Sequence, residues 1–122
     1  MKVKATEYFH KKPDYFNCAQ SILKSWQKEL NIPEKDIDDF SSFGGGRAPS
    51  GLCGAIYAAD YVLSLLDKPS VQDEFIKKLN HLNCSALRKS CVKCVEVADE
   101  LVSDSIYKQA WHKYILKNKF II

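Results

Sequence analysis

The chain has 122 residues, 46% hydrophobic and 27% charged, and its 18 basic and 15 acidic side chains leave a net charge of +3. That length and mix describe one soluble globular domain with a modest core, and so small a basic excess gives no reason to expect nucleic-acid binding. No apolar run approaches the twenty or so residues that span a bilayer, and the N-terminus MKVKATEYFHKK lacks the apolar segment of a secretory signal, so the expectation is a cytoplasmic protein.

Residues 1–13 are polar and mixed in sign, the pattern of an extended arm or a short first turn. Asp14 is placed to cap a helix over about 15–30. On it Phe16, Ala19, Leu23, Trp26 and Leu30 recur at three- and four-residue intervals, with Cys18 and Ile22 on the shoulder of the stripe. Asn31 and Pro33 stop that helix. A short acidic helical turn follows over 34–40, with its carboxylates in water. Beyond a glycine-rich loop, a central helix is predicted over about 51–66, ending near Asp67-Lys68-Pro69. Ser70 caps the next, about 71–82, with Asp73 and Glu74 in its first turns, where they complement the helix dipole. Val71, Phe75, Ile76, Leu79 and Leu82 are its apolar positions. One helical turn lies within 83–90. The last helix, capped by Ser90, runs from about Cys91 to Leu116. Cys91, Cys94, Ala98 and Leu101 share one of its faces, as do Val95 and Val102. From Tyr107 onward Lys108, Lys113, Lys117 and Lys119 alternate with Trp111, Tyr114 and Phe120. The expectation there is aromatics on the bundle and lysines in water, rather than a membrane-surface helix. No strand, repeat or low-complexity segment is legible. The predicted architecture is all-α, a four- to five-helix bundle in a single domain (1–122), with 14–116 as the bundle and 117–122 as a tail.

The stretch Phe43–Ala59, FGGGRAPSGLCGAIYAA, organises the rest. Gly44, Gly45 and Gly46 permit backbone angles that other residues resist, and Pro49 stiffens the loop. Ser50 reads as a helix cap, which sets Cys53 in the first turn. Free N–H groups and the helix dipole favour a thiolate there. Gly54, Ala55, Ala58 and Ala59 then leave a nearly bare helix face against which another backbone can pack. The loop lacks the Gly-Lys-Ser/Thr ending of a phosphate cradle.

Five cysteines are an odd number. Without a secretory signal, they argue for reduced thiols, a metal site or redox work rather than a disulfide framework. Cys53, Cys84, Cys91 and Cys94 fall at or near predicted helix starts, and Cys18 falls in the second turn of the first helix. Arg47, Arg88, Lys89 and Lys93 are close enough in sequence to offset clustered negative charge. A single buried cysteine is commonly a small hydrophobe. Cys18 alone reads that way, but the group together reads as a functional centre. His81 stands three residues before Cys84; it, His10 and His112 read as solvent-facing. No Ser/His/Asp triad, paired carboxylates or nucleotide fingerprint is present, which leaves hydrolysis and group transfer without a candidate.

The cysteine order and spacing resemble a family of redox-active proteins defined by an early cysteine, a C-G-A-x-x-G motif and two later cysteines. The match covers about 15–102, with Cys18 in NCAQSIL, Cys53-Gly54-Ala55, Cys84 in NCSALRKS and Cys94 in CVEVADELV. The motif's last glycine is Ala58 here, which still suits close packing. Cys91 is an additional thiol that competes with Cys94 for the fourth place. The resemblance implies a helical protein with redox-active cysteines, suspected of holding an iron–sulfur cluster. It supplies no substrate.

Three chemistries are open to such a set. Cys18, Cys53, Cys84 and Cys94 suit the all-cysteine ligation of an iron–sulfur cluster, which would exchange electrons with a redox partner protein without independent catalytic turnover. Gly54, Ala55 and Ala58 would pack the neighbouring helix close enough for the four to meet. Cys91 and Cys94 have the C-x-x-C spacing of a thiol–disulfide pair, although the βαβ setting of thioredoxin-like motifs is missing. A structural zinc in an interaction module is the third and ranks lower, because only Cys91–Cys94 offers a zinc-knuckle spacing.

Overall fold

The computed structural model describes residues 2–44 and 46–121, with side chains as far as Tyr107 except that of Arg88. Gly45, the Arg88 and His112 side chains, the tail's lysines and aromatics (Lys108 to Phe120) and Ile122 lie outside the described residues. Six α-helices are described: α1 (Cys18–Leu30), α2 (Glu34–Asp39), α3 (Gly54–Ser64), α4 (Gln72–Leu79), α5 (Cys84–Leu87) and α6 (Cys91–Ile121). Among the described residues there is no strand, only two isolated bridges, Phe9 with Phe16 and Leu52 with Asn83. The all-α bundle expected from the periodicity is therefore what forms, and no helix among the described residues is long and apolar enough to cross a membrane.

Helices α1, α3 and α6 pack against one another and hold the core. Ile22, Leu23 and Trp26 of α1 meet Ile56, Val62 and Leu63 of α3 and Val95, Ala98 and Val102 of α6; α4 adds Phe75. The predicted stripes of α1 and α6 are thus the buried faces.

Several boundaries differ from the sequence reading. Helix α1 starts at Cys18, not after Asp14. Tyr15 has a left-handed φ of 52°, and Asn17 caps the helix with a full capping box: its Oδ1 accepts from the Gln20 N–H at 2.7 Å, and Gln20 Oε1 accepts from the Asn17 N–H at 3.2 Å. Phe16 therefore belongs to the arm. Asn31 ends α1 in the left-handed conformation, as expected. Helix α3 begins at Gly54, because Ser50 has φ 61° in a short 3-10 turn and caps nothing. Helix α4 stops at Leu79, where Asn80 turns left-handed; its start is held by Asp60, which accepts from the Val71 N–H at 3.0 Å and from Ser70 Oγ at 2.8 Å. Helix α6 continues to Ile121, past the predicted end at 116.

The arm is folded onto the bundle. Asp99 of α6 is buried and accepts from Lys2 Nζ (2.8 and 3.0 Å), the Ala5 N–H (3.0 Å) and Trp26 Nε1 (2.9 Å). Lys2 Nζ also lies 4.5 Å from the Trp26 ring centroid. This anchor fixes the arm so that Phe9 and His10, a few residues on, reach the N-terminal end of α1.

Candidate functional site: a ring of sulfurs at the helix starts

All five cysteines line one cavity of about 160 Å³, together with Phe9, His10, Asn17, Gly54 and Leu87. Each thiol stands where a helix begins. Cys18 opens α1, Cys53 is the residue before α3, Cys84 opens α5, and Cys91 opens α6, with Cys94 one turn further along it.

Local structure explains how such distant residues meet. The Cys53 N–H donates to the Leu82 carbonyl at 2.7 Å, and Leu52 pairs antiparallel with Asn83. That pairing carries the next residues, Cys53 and Cys84, to the same cavity. Asn17 Nδ2 donates to the Phe40 and Ser41 carbonyls, both at 3.2 Å, and so ties the start of α1 to the segment leading into the glycine loop. Gly54 lets α1 approach. A Cβ there would lie 2.7 Å from Cys18 Sγ, 2.7 Å from the Phe43 carbonyl oxygen and 3.4 Å from Ala19 Cβ. Ala55 and Ala58 are fully buried behind it, so the bare face inferred from the sequence is the one that packs. Gly46 runs beside Cys84, where a Cβ would meet its Sγ at 3.8 Å.

The sulfurs differ in environment. Cys18, Cys53, Cys84 and Cys94 are buried; Cys91 is half-buried. Cys53 and Cys94 share a hydrogen bond in which the Cys53 thiol donates. That bond pushes the Cys53 pKa up, and burial pushes it further; the N–H groups of Ile56 and Ala55 oppose this only partly. The same bond holds the Cys94 pKa below its ordinary value. Burial first, then the neighbouring Cys53 and Cys91, push the Cys18 thiol up to about 11. The expectation that Cys53 is the thiolate is thereby corrected. The thiolate is favoured at Cys94, in the first turn of the long helix, because the Cys53 proton solvates it.

Among the described residues, no three His, Cys, Asp or Glu side chains converge closely enough to hold a single metal ion. The sulfurs surround a space rather than a point. Among the described residues the cavity wall carries no carboxylate. Arg47 does not offset the sulfurs as the sequence suggested: it donates to the Gly44 carbonyl at 3.0 Å and the Ser41 carbonyl at 3.2 Å, bracing the loop. His81 is exposed, as expected. His10 is exposed too, yet it borders the cavity, stacked on Phe9 with ring centroids 3.9 Å apart. Sequence reasoning passed over Phe9, His10 and Asn17. The N-C-A-Q capping box was a legible signal for Asn17 alone.

The molecule is thus a small helical protein with a five-thiol centre built on helix starts. It belongs to the family described as "Putative redox-active protein (C_GCAxxG_C_C)", which matches residues 16–105. That pattern sets glycine before and alanine after its central cysteine and a last glycine four residues beyond it, where this chain has Leu52, Gly54 and Tyr57, so Ala58 is not the motif's glycine position as the sequence reading had it. It names four cysteines, one fewer than the five of this chain. No curated protein and no solved structure shows significant similarity to the chain.

Proposed function

We propose that Cys18, Cys53, Cys84 and Cys94 hold an iron–sulfur cluster and that the protein transfers electrons. The observation that carries this reading is the ring of sulfurs, drawn from four separate segments, around one carboxylate-free cavity. A mononuclear zinc needs its ligands at a common point, about 2.3 Å from the metal. A cluster needs them spread around a volume. When bound, a cluster of this kind takes up and returns single electrons. The chain's own residues prepare for it. Cys94 is already biased toward thiolate, and Cys53 holds a proton that binding would displace. Phe9 and Leu87 give the cavity apolar wall, which bears on the potential. Cys94 is preferred over Cys91 as fourth ligand because it is 1% exposed and in contact with Cys53.

The test is purification without oxygen. The expected product is brown and contains iron with acid-labile sulfide, and Cys53→Ser loses both. Colourless, iron-free protein under those conditions overturns the reading.

The Cys53–Cys94 hydrogen bond favours one second reading, a dithiol–disulfide couple. Here the pair in contact is Cys53 with Cys94, whereas the sequence had suggested Cys91 with Cys94. Two thiols would become one disulfide, releasing two protons and two electrons to an acceptor disulfide. Metal-free protein that gains two hydrogens on reduction, and does not when Cys94 is serine, supports it.

A further inference from the structure

Cys91 lines two spaces. It closes the sulfur cavity on one side and on the other forms the floor of an open surface groove with Lys89, Ser90, Val92, Lys93 and Glu96. The wall between the sulfur cavity and this groove is therefore a single half-buried side chain, Cys91. Electron transfer weakens steeply with distance, so a partner gains most by docking at that wall. The groove's chemistry is also distinctive. Val92, 58% exposed, offers an apolar contact at the first turn of α6. Lys89 and Lys93 flank it, both exposed, and among the described residues Glu96 is the sole acid on the groove. The Lys93–Glu96 pair, 3.5 Å apart with both side chains largely in water, is too weak to commit Lys93. An apolar patch rimmed by cations fits an acidic partner.

We propose that this groove is the docking surface for a small acidic electron-transfer protein, with electrons crossing at Cys91. The proposal rests on the electron-transfer reading above and adds the place and charge of the partner.

The experiment uses the full chain with iron and sulfide quantified first. Reduced protein is mixed with ferricyanide, an anionic one-electron acceptor, and separately with tris(phenanthroline)cobalt(III), a cationic one. Each acceptor molecule takes one electron from the centre. Replacing both lysines, Lys89→Glu with Lys93→Glu, is expected to slow ferricyanide about tenfold at low ionic strength and to speed the cobalt complex. The effect should shrink as salt shortens the screening length to about 8 Å or less. The control is Lys28→Glu with Lys35→Glu, which makes the same change in net charge. Lys28 lies ten residues along α1 from Cys18, about 15 Å away. Those rates should stay within about twofold. A plant-type ferredoxin, small and acidic, is the protein-sized probe, and its electron exchange should fall with the groove variant as well.

Equal effects of the groove and control substitutions overturn the proposal. So does a ferredoxin rate that ignores the groove variant while ferricyanide slows, because the groove then admits only small anions. Iron-free protein overturns the cluster reading alone. Two ferricyanide ions then take two electrons from Cys53 and Cys94, with two protons released as the disulfide forms, and the lysine dependence is read on that reaction.

Discussion

The closest approach in the site is also its most exposed to test. Gly54 has backbone angles that any residue tolerates, so its role is space alone. A methyl group there would stand 2.7 Å from both Cys18 Sγ and the Phe43 carbonyl oxygen, where contact atoms normally sit about 3.5–4.0 Å apart. The carbonyl is part of a 3-10 turn and has little freedom. Relief must come from α1 backing away, carrying Cys18 and Ala19 with it. Overpacking of this sort costs about 1–3 kcal/mol. Alanine is a better helix former than glycine by at most about 1 kcal/mol. The net expectation for Gly54→Ala is a loss of about 1–2 kcal/mol, measured as a lower urea midpoint with unchanged slope on reduced, metal-free protein. Cys18 should alkylate faster at the same time, because its sulfur is displaced from the cavity. Gly51→Ala is the comparator. Gly51 has φ 71° with open space around it, so alanine there costs roughly 1–2 kcal/mol through the backbone alone. It should leave Cys18 reactivity unchanged. A Gly54→Ala protein as stable as the parent, with Cys18 no more reactive, refutes the claim that this contact sets the sulfur geometry.

Two further predictions follow from burial and charge. Asp99→Ala strips the acceptor from the buried Trp26 and Ala5 N–H groups and should cost about 3–5 kcal/mol; limited proteolysis should then cut within residues 2–16 ahead of the bundle, and an uncut arm would contradict its role as anchor. The raised Cys18 pKa gives a pH dependence to reduced, metal-free protein. The folded value of about 11 exceeds the unfolded 9.0, so the protonated form is favoured by folding; stability is intact below pH 9 and falls between pH 9 and 11, by up to about 2–3 kcal/mol from this group. Denaturation of Cys18→Ala across that range should show a shallower fall than the parent.

Much of this was legible in the chain. The α1 and α6 stripes, the stop at Asn31, the bare face at Gly54 and Ala55 and the grouping of cysteines all depend on local periodicity or spacing, which a sequence displays directly. The misread features depend on contacts between distant segments. Ser50 has the chemistry of a cap, but the loop geometry places it in a left-handed turn. Asp14 looked like a cap because nothing local reveals that 14–16 is held by the Phe9–Phe16 bridge. Asp99 interrupts an apolar face between Ala98 and Leu101, and its partners lie more than seventy residues away. The Cys53 thiol was assigned the wrong charge preference because the decisive neighbour, Cys94, is forty-one positions further on.

Siting the thiols at or within one turn of a helix origin decides which length changes the molecule can absorb. The far ends of α1 and α3 point away from their own cysteines, so residues gained or lost there leave the sulfurs in register. An insertion just behind an origin behaves differently. One added residue turns everything before it by roughly 100° relative to the packed body of the helix, enough to swing a thiol out of the cavity. Evolutionary drift in size is thereby channelled into one end of each helix, while the other end is pinned.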